Sequence, residues 1–118
     1  MISQLQGKVV AANLTNATVM IGGVGFQVNL PLRISSQIKI GEEISLFTYL
    51  AVREDALTLY GFDSQYDCEI FTTLQTVSGI GPKAALSAVS IYDAGQIYEA
   101  LASNDQNKLE KIPGVGKK

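Results

Sequence analysis

The chain has 118 residues, 47% of them apolar and 17% charged, with 11 glycines, which is the composition of a folded globular protein and excludes a disordered or collagen-like one. Zero histidines exclude a Ser-His-Asp triad, a histidine-ligated metal and imidazole acid-base catalysis, and the single cysteine, Cys68, excludes an intramolecular disulfide. Nine basic residues against 11 acidic ones give a net charge of −2, so any nucleic-acid binding has to come from local placement of charge.

Residues 1–62 carry short apolar-rich runs at 2–12, 17–21, 24–30, 43–52 and 56–62, which predict five strands. Thr18-Val19-Met20-Ile21 and Gly25-Phe26-Gln27-Val28-Asn29-Leu30 are joined through Gly22-Gly23, a pair that accepts the positive φ angles of a tight hairpin. Pro31 lacks a ladder donor and ends the third strand or confines it to an edge, and residues 33–39 read as a polar connection before Gly41. Five short strands with one long connection between the third and fourth suit a Greek-key barrel of the OB-fold type, with an SH3-like barrel as the competitor.

From Asp63 the period changes to that of a helix. Ser64 is placed to cap a first helix with Asp67 in its first turn, and Tyr66, Ile70, Phe71, Leu74 and Val77 form its apolar face. Pro82 is tolerated at the first position of a second helix, which turns Ala85, Leu86 and Val89 inward. A third helix starts at Asp93 with Ile97, Tyr98 and Leu101, and a short fourth starts at Asn104 with Leu109 and Ile112. The expected division is therefore a barrel domain over 1–62 and a helical domain over 63–118. A unit of about 60 residues buries only roughly 60% of its unfolded surface, so the two halves would need each other or a partner chain.

The helical half contains an internal repeat. Leu74-Gln75-Thr76-Val77-Ser78-Gly79-Ile80-Gly81-Pro82-Lys83 lies over Leu109-Glu110-Lys111-Ile112-Pro113-Gly114-Val115-Gly116-Lys117-Lys118 with leucine, Val/Ile, both glycines, the residue between them and a lysine coinciding. Each copy reads as a helix, a Gly-hydrophobe-Gly turn and a lysine where the next helix begins, a tandem helix-hairpin-helix. The glycines permit strained angles and close approach of the backbone to a ligand, and Ile80 and Val115 serve as apolar plugs. The free N–H groups of the following helix, with Lys83 in one copy and Lys117 and Lys118 in the other, favour a DNA backbone phosphate without reading bases. Neither copy is a dinucleotide fingerprint or a nucleotide P-loop, because each follows a helix and lacks the further residues those motifs require.

Arg53-Glu54-Asp55 falls between the last two β runs, at a hairpin tip. Taken together with Gln4-Leu5-Gln6-Gly7, Gly22-Gly23-Val24-Gly25-Phe26, Leu59-Tyr60-Gly61-Phe62 and the two glycine hairpins, the chain resembles the RuvA family of Holliday-junction-binding subunits of the bacterial RuvAB branch-migration complex. The resemblance implies an OB-fold domain that assembles into a flat homotetramer and a helix-hairpin-helix domain that grips the arms of a four-way junction. It implies that Glu54 and Asp55 form an acidic pin at the crossover and that Arg53 contacts phosphate beside it.

The resemblance also implies that the ATPase belongs to the partner motor RuvB, so that this chain is not an enzyme and holds no cofactor. Glu54 and Asp55, adjacent on a turn, do not enclose a metal. The family continues beyond the position of Lys118 with a final helix, a linker and a small domain that contacts the motor, so the chain is expected to be a fragment. No apolar run reaches the roughly 18 residues that span a bilayer, and Met1-Ile2-Ser3-Gln4-Leu5 lacks the features of a secretory signal, so a cytoplasmic protein without membrane contact is expected. Two rival readings are a helix-hairpin-helix module of another repair protein, and an OB-type oligomerisation domain whose glycine turns only connect helices.

Overall fold

The computed structural model describes residues 2–77, 79–92 and 94–103. Compact packing divides the chain into two units, Met1–Cys68 and Glu69–Lys118. In the first, five strands form a closed barrel: β1 (Gln4–Ala12), β2 (Asn16–Ile21), β3 (Val24–Asn29), β4 (Glu43–Val52) and β5 (Leu57–Phe62), in the order β1-β2-β3-β5-β4. All neighbours are antiparallel except β3 and β5, which run parallel through Val28↔Leu59 and Asn29↔Tyr60. This is the five-stranded OB-type barrel, and the SH3-like alternative falls.

Alternation along each strand decides which side chains fill the barrel. On β1, Leu5, Gly7 and Val9 are buried while their neighbours face outward, and Val19, Val28, Leu46 and Leu59 meet them from the other strands. Each fully buried Val or Leu side chain contributes about 1.5–3 kcal/mol. The Gly22-Gly23 turn has φ +55° and +85°, a tight hairpin that keeps Met20↔Gly25 and Ile21↔Val24 in register.

The connection after β3 is not simply polar. Pro31 caps α1 (Leu32–Ser35), a single turn that buries Ile34 and Ser35. The Ser35 hydroxyl donates to the Leu14 carbonyl at 2.7 Å, so α1 is tied to the β1–β2 turn. In that turn Asn13 Oδ1 accepts from the backbone N–H groups of Thr15 and Asn16, both at 2.9 Å. Arg33 on α1 pairs with Asp63 at 3.4 Å and with Asp67.

Helix α2 (Gln65–Leu74) is capped as expected, with Ser64 Oγ accepting from the Asp67 N–H at 3.1 Å. Ile70, Phe71 and Leu74 are buried, but Tyr66 is 50% exposed and Val77 lies in the turn beyond the helix, so neither belongs to its buried face. Helix α3 (Pro82–Ile91) buries Ala84, Ala85, Ala88 and Val89, whereas Leu86, expected inward, is only half-buried. The inner stripe of α3 therefore keeps the expected Ala85 and Val89 and adds Ala84 and Ala88 in place of Leu86. Helix α4 (Ala94–Ser103) contacts α3 and buries Ile97 and Ala100. The expected fourth helix from Asn104 and the second hairpin lie outside the described residues.

Candidate nucleic-acid interface

The first glycine hairpin is built from the end of α2. After Leu74 the chain tightens, with the N–H groups of Gln75, Thr76 and Val77 donating to the carbonyls of Thr72, Thr73 and Leu74 at 3.2, 3.0 and 3.1 Å. Ile80 N–H then donates to Val77 O at 3.1 Å, and the Ile80 side chain is 5% exposed. Gly79 makes the reversal possible with φ +89°, a left-handed value that penalises any Cβ.

Gly81 behaves differently. It takes φ −96° and ψ −174°, extended backbone open to any residue, so the expectation of strained angles at both glycines holds for Gly79 alone. A Cβ on Gly81 would meet nothing within 4 Å, and the residue caps α3 without a side-chain hydrogen bond. Its carbonyl accepts from Ala85 N–H at 2.9 Å, the first turn of the helix.

The first turn of a helix leaves N–H groups without intrahelical acceptors, and Pro82 at N1 contributes none. The remaining donors are those of Gly81, Lys83 and Ala84, at the positive end of a ten-residue dipole. Gly79, Gly81 and Lys83 are exposed. Three backbone donors, an ammonium and an unshielded glycine at one helix start make a surface suited to a phosphate oxygen. Gly114, Val115, Gly116, Lys117 and Lys118, the matching set in the second copy, lie outside the described residues.

The second cluster belongs to the barrel unit. Strands β4 and β5 are linked by a tight turn closed by Arg53 N–H donating to Ala56 O at 2.9 Å, and Val52 pairs with Leu57 at its base. Arg53, Glu54 and Asp55 are exposed on it, and neither carboxylate is ion-paired among the described residues. Burial pushes the Tyr60 phenol up and Arg53 pulls it part of the way back, so the guanidinium lies within electrostatic reach of Tyr60. The predicted site residues thus fall into two groups, Arg53, Glu54 and Asp55 on one unit and Gly79, Ile80, Gly81 and Lys83 on the other.

Sequence reading missed Arg33 as the ion-pair partner of Asp63 and Asp67, because 30 or more residues separate the partners. It also missed the exposed Val52 and Leu57 at the base of the acidic turn, which carry no sequence signal beyond strand alternation. Among the described residues no helix is long and apolar enough to cross a membrane. No cluster of three or more His, Cys, Asp or Glu able to hold a metal occurs among them either.

Comparison with known proteins follows the same division. A family profile described as the RuvA N-terminal domain matches residues 1–61, and one described as a SAM-like helix-hairpin-helix tandem matches residues 71–118. A protein of Corynebacterium aurimucosum named Holliday junction branch migration complex subunit RuvA is 45% identical over 118 residues, all of this chain and 58% of that protein. Proteins of the same name from Thermodesulfovibrio yellowstonii and Thermobifida fusca are 36% and 39% identical over the whole chain, which covers 62% and 58% of their lengths. The chain therefore spans about three-fifths of the length of these relatives.

Proposed function

We propose that this chain, which belongs to the RuvA family, binds four-way Holliday-junction DNA and holds it open and planar for branch migration in recombination and repair. It does so without catalysis of its own, as a cytoplasmic homotetramer that works with the motor subunit RuvB. Its parts are a barrel domain over 1–62 and a helix-hairpin-helix domain over 63–118. The observation that carries the reading is the pairing of opposite chemistries on one chain: a phosphate-suited helix start at Gly81 and Lys83, and a bare carboxylate turn at Glu54 and Asp55.

Each hairpin supplies a sequence-independent grip on a duplex arm, and four subunits on four arms combine weak grips through effective concentration. In the second hairpin Gly114, Val115, Gly116, Lys117 and Lys118 play the parts of Gly79, Ile80, Gly81 and Lys83. The acidic turns meet at the crossover, where a carboxylate and a phosphate repel by roughly 1–4 kcal/mol per pair at 4 Å, for effective dielectrics of 80 to 20. Attraction along the arms and repulsion at the centre favour an open, planar junction and steer separated strands into new pairs. Arg53 contacts phosphate beside the acidic turn.

Fluorescence anisotropy of the chain with a labelled four-way junction and with a linear duplex of equal arm length, at one salt concentration, tests this. Clear preference for the junction is the expected result. Equal binding to both would favour a generic helix-hairpin-helix repair module, and no binding to either would favour an OB-type oligomerisation domain.

A further inference from the structure

The barrel has an open mouth next to the acidic turn. Strands β3 and β5 pair in register only at Val28↔Leu59 and Asn29↔Tyr60, so the earlier residues of both strands part from one another. Between them lies a cleft of about 480 Å³, lined chiefly by Ile2, Phe26, Asn29, Leu50, Leu57 and Leu59. Phe26, Leu50 and Ile2 also pack against the barrel core, so the cleft is an accessible extension of it. Its volume falls within the roughly 300–1,000 Å³ typical of ligand pockets.

We propose that this mouth receives an unpaired DNA base at the junction crossover. The inference rests on the junction reading for its source of unpaired bases. Leu57 is 71% exposed and its cross-strand partner Val52 59% exposed, an apolar pair left facing water at the base of the Glu54–Asp55 turn. Among the described residues no charged side chain lines the cleft, and the turn beside it carries two carboxylates against the single guanidinium of Arg53, so a phosphate is disfavoured there.

A neutral base matches that surface. It brings an aromatic face to the Phe26 ring and the apolar side chains. Its polar edge meets Asn29, whose Nδ2 donates to Leu59 O at 3.3 Å and whose Oδ1 remains an acceptor, and the exposed amide of Gln27. The carboxylates above accept from exocyclic base amines while holding phosphates away. A base within an intact duplex cannot present its face, so the site selects for unpaired DNA.

Photo-crosslinking of the full chain to 5-iodouracil DNA tests the assignment, with the label at the crossover of a four-way junction, within one of its arms, or in a short single strand. The expected result is a crosslink mapped by mass spectrometry to Phe26 from the crossover and single-strand positions, and little from the arm. Leu57→Gln, at an exposed position, should lower that yield by roughly tenfold, the scale on which a base stacks against protein. Junction binding with no Phe26 crosslink, or with equal crosslinking from the arm, would overturn the proposal. If the chain shows no junction preference, the junction reading falls and the single strand decides alone: a Phe26 crosslink supports the cleft and its absence overturns it. A smaller solution mass for Leu57→Gln with an unchanged crosslink yield would give the apolar rim to a contact between copies of the chain and overturn its role in DNA.

Discussion

Replacing Gly81 by alanine separates a glycine held for the fold from one held for a ligand. Its backbone is ordinary extended chain and the added Cβ meets no atom within 4 Å, so the fold has little reason to object. Glycine is the better N-cap of the two by about 1 kcal/mol at most. That shifts the melting temperature of a small domain by no more than roughly 4–8 °C. The effect on DNA is of another order. A phosphate oxygen bonded to the free N–H groups at this helix start approaches them to about 2.9 Å, and a methyl group on Gly81 stands in the space such a phosphate occupies. Loss of one or two charge-assisted hydrogen bonds, each about 1.5–3 kcal/mol, weakens each grip by at least tenfold. Anisotropy titration with a labelled junction at constant salt reads the affinity, and circular-dichroism melting of the same preparation reads the fold. An affinity within twofold of the unsubstituted chain would refute close backbone contact at Gly81. A loss of more than about 10 °C in melting temperature would refute the premise that the position is open.

Gly79→Ala should behave in the opposite way, costing about 1–2 kcal/mol of stability because its φ of +89° is left-handed; thermal melting checks it. Lys83→Gln should weaken binding to any duplex arm and reduce the slope of log affinity against log salt by about 0.9, read from a salt titration. Glu54→Gln combined with Asp55→Asn should leave junction affinity unchanged or raise it while altering strand exchange, followed by gel as spontaneous branch migration of the bound junction; a weaker complex would count against repulsion at the crossover. Gly61→Ala should cost about 1–3 kcal/mol by overpacking, since its Cβ would come within 2.6 Å of Val28 Cγ1, and chemical denaturation measures that loss.

The elements that could be read from sequence were those fixed by neighbours along the chain. Alternation through Leu5, Gly7 and Val9 marks β1, Gly22-Gly23 marks the hairpin, and Ser64 marks the start of α2, all through interactions a few residues long. Long-range decisions were less legible. The parallel contact of β3 with β5, which selects the OB-type barrel, joins residues about 30 apart, and so does the pairing of Arg33 with Asp63 and Asp67. Helix α3 shows a subtler limit: Leu86 is the larger apolar side chain, yet it is only half-buried while Ala84 and Ala88 join Ala85 and Val89 in the buried stripe, a choice that apolar spacing alone does not make. At the candidate site, Gly79 and Gly81 look equivalent as letters. Only the backbone angles reveal that one makes the turn and the other leaves it uncovered. The apolar mouth was hidden for a related reason, since Phe26 and Leu50 sit at positions that alternation assigns to the core.

The narrow β3–β5 junction also sets how the barrel breathes. Six consecutive register pairs join β2 to β3 and another six join β4 to β5, whereas the parallel seam is held by Val28↔Leu59 and Asn29↔Tyr60 alone. The β1–β4 pairing spans a longer stretch of chain, but five register pairs hold it, so the two-pair seam is the weakest line of the ring. Its opening is the cheapest excursion from the folded state: the seam parts and the five strands persist as a curled open sheet. Amide hydrogen exchange should therefore be fastest along this line of the barrel, making it a latch whose opening widens the mouth beneath the acidic turn without unfolding the hairpin that carries it.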